Sequence, residues 1–246
     1  MSWASLATLL RAQGYRVAVP DLPGHGCART TPFSWANAEA AVRAAAGQFG
    51  ADKPVLVGLS LGAATALSAA QREPDRYAGL ILAGAATCCN DRYLRAGLAV
   101  AAAIGALATA LGRRELLAHA AGVRGRNIVP TARSVHVAPA QLWRAARQLM
   151  RFDVRGTPAP SIPCAVVVLT HDRRMPPGLQ RALARHLQCP QIDVAADHDA
   201  PVRATAQFRD GLRSALTVLG QDDPIPDRCV VEPADAVANH REHHSA

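Results

Sequence analysis

The sequence predicts an α/β protein with a mostly parallel, doubly wound sheet, and two observations support this prediction. Short continuous apolar runs alternate with stretches of helical periodicity, and turns rich in Gly, Pro and Asp separate them. Continuous apolar runs are typical of parallel strands, because helices cover both faces of such a sheet. Half of the 246 residues are hydrophobic, which is enough for one sizeable core.

The predicted elements alternate from the start of the chain. Apolar residues at helical spacing, followed by Gly14, predict a helix over residues 2–13. The run RVAVP at 16–20 predicts a strand, and the turn DLPGHG at 21–26 ends it. The further predicted elements are a helix at about 34–49, strands at 53–60 and 79–84 with a helix at 61–73 between them, strands at 164–170 and 191–196 with a helix at 176–187 between them, and a helix at 206–219.

Three polar residues lie at the carboxyl ends of predicted strands, where ligands bind in parallel sheets. They are Ser60, Asp172 and His198, in the order nucleophile, acid, histidine. Ser60 lies between Gly58 and Gly62, and glycine permits the tight turn that takes a chain from a strand directly into a helix. The stretch is therefore a candidate nucleophile elbow.

An insertion and a tail depart from the alternation. Residues 87–157 are Ala-rich and predict a helical cap above the carboxyl ends of the strands, inserted between core segments 1–86 and 158–220. The uncharged run at 96–111 is shorter than the roughly 20 residues that a bilayer requires, so we expect a buried helix and no transmembrane span. Residues 221–246 are polar and contain Pro, and we expect a disordered tail.

The composition argues against several classes of function. The net charge of +8 comes from scattered arginines with Lys53 as the only lysine, and aromatic residues make up 4% of the chain, so we expect no nucleic-acid binding. The six cysteines form no C-x-x-C pair and no zinc-type spacing, which predicts free thiols in a reducing compartment and no metal site. The amino terminus shows no signal-peptide pattern, so we expect a cytoplasmic protein.

Four segments resemble the α/β-hydrolase fold family, in its serine esterase and lipase branch. They are GYRVAVPDLPGHG at 14–26, GLSLG at 58–62, THDRRMPP at 170–177 and DHDAPV at 197–202. They occur in the order of the family, on the same alternation of strands and helices, over most of residues 1–220 outside the cap. The resemblance implies a Ser-Asp-His triad and neither a metal nor an organic cofactor.

The resemblance also implies a role for each candidate residue. Ser60 would attack the substrate carbonyl, His198 would accept and return the proton, and Asp172 would orient His198. Some members of the family supply the acid one strand earlier, where this sequence has Asp91, so Asp91 is the alternative to Asp172. The backbone N–H of Leu61 is expected to donate to the oxyanion of the tetrahedral intermediate.

Part of the family pattern is missing from this sequence. In the family, a second oxyanion donor comes from a loop after the strand that precedes the first helix. That strand lies between those at 16–20 and 54–59, and two further strands precede it. This sequence begins inside the first helix. We therefore expect a sheet without its N-terminal strands, as in an N-terminally truncated form of a longer hydrolase, with unpaired backbone at its centre.

Two functions are consistent with these residues. The first is a serine hydrolase that cleaves a carboxylic ester or thioester through an acyl-enzyme on Ser60. Its substrate would be a small ester or acyl compound, and the apolar residues of the cap indicate a hydrophobic one. The alternative is a non-catalytic or inactive hydrolase-like fragment that lacks the second oxyanion-hole loop and binds a partner or ligand. Peptidase, lactonase, acyltransferase and haloperoxidase chemistry use the same triad and stay open.

Overall fold

The structure is a computed structural model that describes residues 3–89, 139–221 and 229–231. Short 3-10 turns accompany the regular elements at Gly26–Ala28, Gly47–Phe49 and Pro74–Arg76. The helices and strands, numbered in chain order, are α1 (Ala4–Ala12), β1 (Arg16–Ala18), α2 (Trp35–Ala46), β2 (Val55–Leu59), α3 (Leu61–Arg72), β3 (Gly79–Ala83), α4 (Pro139–Leu149), β4 (Cys164–Leu169), α5 (Pro177–His186), β5 (Gln191–Val194), α6 (Ala200–Arg203), α7 (Thr205–Val218) and β6 (Cys229–Val231).

The six strands form one parallel sheet in the order β1-β6-β2-β3-β4-β5. Strands β2, β3 and β4 are buried along their whole length, as their continuous apolar sequences predict. Because all strands run in one direction, their carboxyl ends meet at one edge of the sheet. Ser60 follows β2 at this edge, Asp172 follows β4 and His198 follows β5.

Helices cover both faces of the sheet, so there are two apolar cores. Leu80 and Leu82 of β3 point into the core beneath α2, α3 and α5. The alternate residues Ile81 and Ala83 point into the opposite core, beneath α1 and α7. This doubly wound arrangement confirms the fold class predicted from the sequence.

Strand β6 lies between β1 and β2, at the position where the sequence predicts that a strand of the sheet is missing. Val230 pairs with Val17 on one side and with Val55 on the other. The expectation of unpaired strands at this position is therefore wrong, and residues 229–231 are not part of a disordered tail. The physical reason is that a short apolar run with two β-branched residues can pair with the backbone groups of both neighbours. Residues 222–228 and 232–246 lie outside the described residues.

Only the two ends of the predicted cap at 87–157 are described. The N–H of Val154 donates to the carbonyl of Thr87 (2.8 Å), and the N–H of Cys89 donates to the carbonyl of Phe152 (3.2 Å), so the insertion leaves and rejoins the core at one place. Asp91 and the run at 96–111 lie outside the described residues, and the domain division stays a prediction. Across the described ranges, no helix is long and apolar enough to cross a membrane.

Candidate active site

Ser60 occupies a strained turn between β2 and α3. Its φ of 55° and ψ of −116° lie in a region that residues with a side chain rarely adopt. Its backbone N–H donates to the carbonyl of Ala83 at the end of β3 (3.0 Å), and its carbonyl accepts from the N–H of Ala64 in α3 (3.0 Å). These two bonds fix both sides of the turn and place Ser60 at the carboxyl edge of the sheet.

The turn requires glycine at position 58. A Cβ on Gly58 would lie 2.5 Å from the carbonyl oxygen of Gly62 and 2.6 Å from the backbone nitrogen of Ala63. Helix α3 therefore approaches β2 more closely than any side chain at residue 58 permits. Gly62 is itself buried in the first turn of α3. Residues 58–62 therefore form a tight strand-to-helix turn, and their role as a nucleophile elbow stays a prediction.

Asp172 and His198 form a buried pair across two loops of this edge. The Nδ1 atom of His198 lies 2.7 Å from Oδ2 of Asp172, and the two residues are 6% and 2% exposed. The other carboxylate oxygen of Asp172 accepts from the backbone N–H groups of Arg174 and Met175, each at 2.8 Å. The carboxylate is thus held by His198 and two backbone N–H groups, with a longer bond from Gln180, and it fixes the orientation of the imidazole.

Gln180 fixes the position of the loop that carries Asp172. It is not among the site residues predicted from the sequence. Its side chain is fully buried, accepts from the N–H of Leu169 at the end of β4 (2.9 Å) and donates to the carbonyl of Met175 (2.6 Å). Its Nε2 also lies 3.4 Å from Oδ2 of Asp172. A sequence signal existed, because residue 180 occupies an i, i+3 position with the buried Leu183 on the apolar face of α5.

Gly84, directly after β3, packs against both His198 and Leu59. A Cβ on Gly84 would lie 3.3 Å from Nδ1 and Cε1 of His198 and 3.0 Å from Cδ1 of Leu59, the residue before Ser60. Gly84 also has a φ of 53°, which favours glycine. Within the described residues, no hydrogen bond joins the Ser60 hydroxyl to His198. Hydrogen bonds of this kind are often long in ligand-free enzymes and shorten when substrate binds.

A small apolar cavity of about 10 Å³ adjoins Ser60. Burial, and to a smaller degree the neighbouring Cys88, raises the pKa of the Cys89 thiol in its wall to about 12. The Cys89 thiol is therefore protonated at neutral pH. The cavity is lined by Ser60, Ala64, Gly84, Ala85, Ala86, Cys89, Leu149, Phe152 and Met175.

His198 lines a wider cleft of about 530 Å³, whose walls are charged. Asp199 forms an ion pair with Arg174 (2.9 Å), which links the loop of His198 to the loop of Asp172. Asp197 accepts from the backbone N–H of Asp199 (2.9 Å), so neither aspartate replaces Asp172 as the partner of His198. The cleft is lined by His171, Arg173, Arg174, Ala195, Ala196, Asp197, His198, Asp199, Arg203 and Ala204.

The remaining predicted features are an oxyanion donor and the lack of a metal centre. Leu61 is the first residue of α3, so its N–H has no acceptor within the helix and lies at the positive end of the helix dipole. The described part of the chain contains no group of three or more His, Cys, Asp or Glu side chains that could hold a metal ion.

One curated relative matches part of the chain. It is the pimeloyl-[acyl-carrier protein] methyl ester esterase of Aromatoleum aromaticum, which is 39% identical over 90 residues. The match covers 37% of this chain and 34% of the relative, so it spans about a third of the relative's length.

Solved structures with low sequence identity have the same fold. One is MGS-M2, an alpha/beta hydrolase enzyme from a Medee basin deep-sea metagenome library, with a TM-score of 0.63, 13% identity and coverage of 85% of this chain and 90% of that one. Another is a thermophilic esterase from Thermogutta terrifontis, with a TM-score of 0.60, 23% identity and coverage of 81% and 78%. A third is the enol-lactonase from Burkholderia xenovorans LB400, with a TM-score of 0.58, 21% identity and coverage of 80% and 79%.

The family comparison covers most of the molecule. The sequence model of the alpha/beta hydrolase family matches residues 1–210, which include the elbow, the acid loop and the histidine loop. The parallel sheet and the place of these three loops at its carboxyl edge agree with that match. The chain therefore belongs to the alpha/beta hydrolase family.

Proposed function

We propose that the chain is a serine hydrolase that cleaves a carboxylic ester or thioester through an acyl-enzyme on Ser60. The observation that supports this most directly is the buried Asp172–His198 pair, with 2.7 Å between Oδ2 and Nδ1, at the same edge of the sheet as the strained turn of Ser60. A nucleophile needs a base within reach, and the base needs a partner that fixes its tautomer. All three groups follow strands of one parallel sheet, β2, β4 and β5, at the edge where their carboxyl ends meet.

In the acylation step, the Oγ of Ser60 attacks the carbonyl carbon while Nε2 of His198 accepts its proton. Asp172 accepts the hydrogen bond from Nδ1 and stabilises the imidazolium that forms. The N–H of Leu61, at the start of α3, donates to the oxygen that becomes negatively charged. The intermediate then expels the alcohol or thiol, which takes the proton from His198. This sequence requires the Ser60 hydroxyl and His198 to approach to hydrogen-bond distance when substrate binds.

In the deacylation step, water replaces the serine hydroxyl as the nucleophile. His198 accepts a proton from the water as its oxygen attacks the acyl carbon. The second intermediate breaks the bond to Oγ, Ser60 recovers its proton from His198, and the carboxylic acid leaves. The same two residues therefore serve both halves of the reaction.

The side chains around Ser60 and His198 indicate which kind of acyl group and leaving group the site could accept. The side chains around Ser60 are mostly apolar, so we propose that the acyl group is hydrophobic; the cavity of about 10 Å³ itself has room only for a water-sized group. The cleft beside His198 contains three arginines and two aspartates, and this charged side fits a polar leaving group. The curated relative is named as a methyl ester esterase that acts on a pimeloyl-[acyl-carrier protein], so methyl esters and thioesters of medium-chain acids are the first compounds to try.

A cytoplasmic location is also part of this proposal. Five of the six cysteines, Cys27, Cys88, Cys89, Cys164 and Cys189, are free thiols. Free thiols persist in a reducing compartment such as the cytoplasm.

A second candidate is a non-catalytic member of the family that binds a ligand or partner. The observation in its favour is that the Ser60 hydroxyl has no hydrogen bond to His198 within the described residues. Such a protein would keep the fold and the Asp172–His198 pair but turn over no ester.

Hydrolysis of p-nitrophenyl esters with acyl chains of increasing length tests the proposal. We expect an initial burst of p-nitrophenol for esters whose deacylation is slower than acylation, and a loss of activity on the order of 10³-fold or more in Ser60→Ala. Ser214→Ala is the control, because that exposed serine only donates to the carbonyl of Asp210 in α7. A folded wild-type chain that releases no p-nitrophenol from any ester of the series would support the non-catalytic candidate.

A further inference from the structure

Strand β6 is the only strand that connects β1 to the rest of the sheet among the described residues. β1 pairs with β6 alone, and β6 pairs in turn with β2. Neighbouring strands lie about 4.8 Å apart, so β1 and β2 are separated by about 10 Å, the width of one missing strand. Without an occupant, the facing N–H and C=O groups of β1 and β2 would lose their partners inside the fold.

We propose that residues 229–231 act as a complementing strand, on which the folding of the N-terminal part of the sheet and the placing of the Ser60 elbow depend. The space between β1 and β2 accommodates one extended peptide that runs parallel to both strands. The peptide that fills this space is the chain's own C-terminal segment. The part of the proposal that concerns Ser60 reactivity rests on the proposed function; the part that concerns folding does not.

The path of the chain after α7 explains how residues 229–231 reach the position between β1 and β2. Leu219, just after α7, packs beside Gly79 at the start of β3, where a Cβ on the glycine would lie 3.1 Å from Cδ1 of the leucine. Helix α7 therefore returns the chain to the amino edge of the sheet, which is where a parallel strand must begin. From residue 221 to residue 229 the chain can span at most about 26 Å, more than enough to pass β3 and β2.

The position of β1 in turn affects the elbow. The turn that follows β1 contains Leu22, which is buried in a small cluster with Phe33, Ala38 and Ala145, and Leu61 packs against this cluster. Leu61 directly follows Ser60 and contributes the proposed oxyanion donor. Helix α2, which supplies Ala38, also contacts β6. Loss of β6 would therefore free β1 and loosen the packing around Leu61 at the start of α3.

Hydrogen exchange of the full chain, read by mass spectrometry, tests the strand without any substitution. We expect the amides of residues 229–231 to exchange more slowly than those of an unstructured peptide, on the order of 100-fold or more. Exchange at the rate of an unstructured peptide would overturn the proposal. This readout does not depend on catalysis, so it separates failure of this inference from failure of the proposed function.

Two shortened chains form a matched pair for the folding claim. A chain that ends at Gln221 removes β6, whereas a chain that ends at Pro233 removes most of the tail and keeps β6. We expect the urea midpoint to fall, or the cooperative transition to disappear, only in the chain that ends at Gln221. A synthetic peptide of residues 222–246 should restore both the transition and the labelling of Ser60 by a fluorophosphonate. Equal midpoints for the two shortened chains would overturn the proposal.

Discussion

The Oδ2 atom of Asp172 lies 2.7 Å from Nδ1 of His198, and both side chains are withdrawn from solvent. A carboxylate can only accept a hydrogen bond, so Nδ1 must carry the hydrogen and Nε2 is left free to accept a proton. The tautomer needed for a general base is therefore set by the packing of two loops before any substrate arrives.

Replacing the acid tests this relationship. In Asp172→Asn, the amide can present an N–H to Nδ1 and so favour the wrong tautomer, and we expect kcat for ester hydrolysis to fall on the order of 10³- to 10⁴-fold. Steady-state kinetics with p-nitrophenyl esters measure the effect. Asp210→Asn is the matched control, because Asp210 is exposed on α7 and pairs only with the adjacent Arg209. An unchanged kcat in Asp172→Asn would show that another carboxylate orients His198.

Gln180 is expected to act as a positioning residue. Gln180→Leu removes the acceptor for the N–H of Leu169 and the donor to the carbonyl of Met175, and each unsatisfied buried group costs about 1–3 kcal/mol. We expect lower stability in urea and a lower kcat with little change in KM, since the acid loop shifts. Gln71→Leu is the control, because its partners Thr157 and Pro158 lie at the surface. A variant that loses stability but keeps kcat would show that Gln180 has a purely structural role.

Because α3 approaches β2 so closely, we expect that a side chain at position 58 destabilises the fold. In Gly58→Ala the new Cβ would meet the backbone of Gly62 and Ala63, and we expect the free energy of unfolding to fall by about 1–3 kcal/mol or more. Urea denaturation measures this fall. The control is Gly178→Ala in α5, where a Cβ meets nothing within 4 Å and alanine favours the helix. Similar stability for both variants would contradict the tight elbow.

The raised pKa of Cys89 predicts resistance to thiol reagents. With a pKa of about 12, the thiol is less than about 0.1% ionised at about pH 8, and its thiolate fraction rises only as the pH approaches that value. We expect iodoacetamide to modify the exposed Cys27 near neutral pH and to leave ester hydrolysis intact. Peptide mapping of the alkylated sites, beside residual activity, measures both effects. Rapid loss of activity with label on Cys89 would contradict this.

The sequence predicted the central part of the fold because that part has strong local signals. Strands β2, β3 and β4 are continuous apolar runs, and the elbow needs glycine at a position that the sequence pattern marks. The predicted strand at 16–20 ends early, at Ala18, and the one at 191–196 ends at Val194. Pro20 lacks the N–H that would continue the first of these ladders.

Other features depend on contacts between distant residues and could not be predicted from local patterns. Strand β6 is three residues long, lies in a polar segment and is defined by its pairing with β1 and β2. Gln180 gains its role only when α5 packs under the loop of Asp172. Gly84 packs closely against His198 and Leu59, and no local pattern in the sequence predicts this contact between distant segments.

Intact-mass analysis of the full chain after treatment with a fluorophosphonate tests the proposed nucleophile most directly. We expect one adduct that maps to Ser60, that is absent in Ser60→Ala and that forms more slowly in His198→Ala, because the base activates the hydroxyl. A folded chain that gains no adduct, or an adduct that persists in Ser60→Ala, would contradict the assignment of Ser60 as the nucleophile.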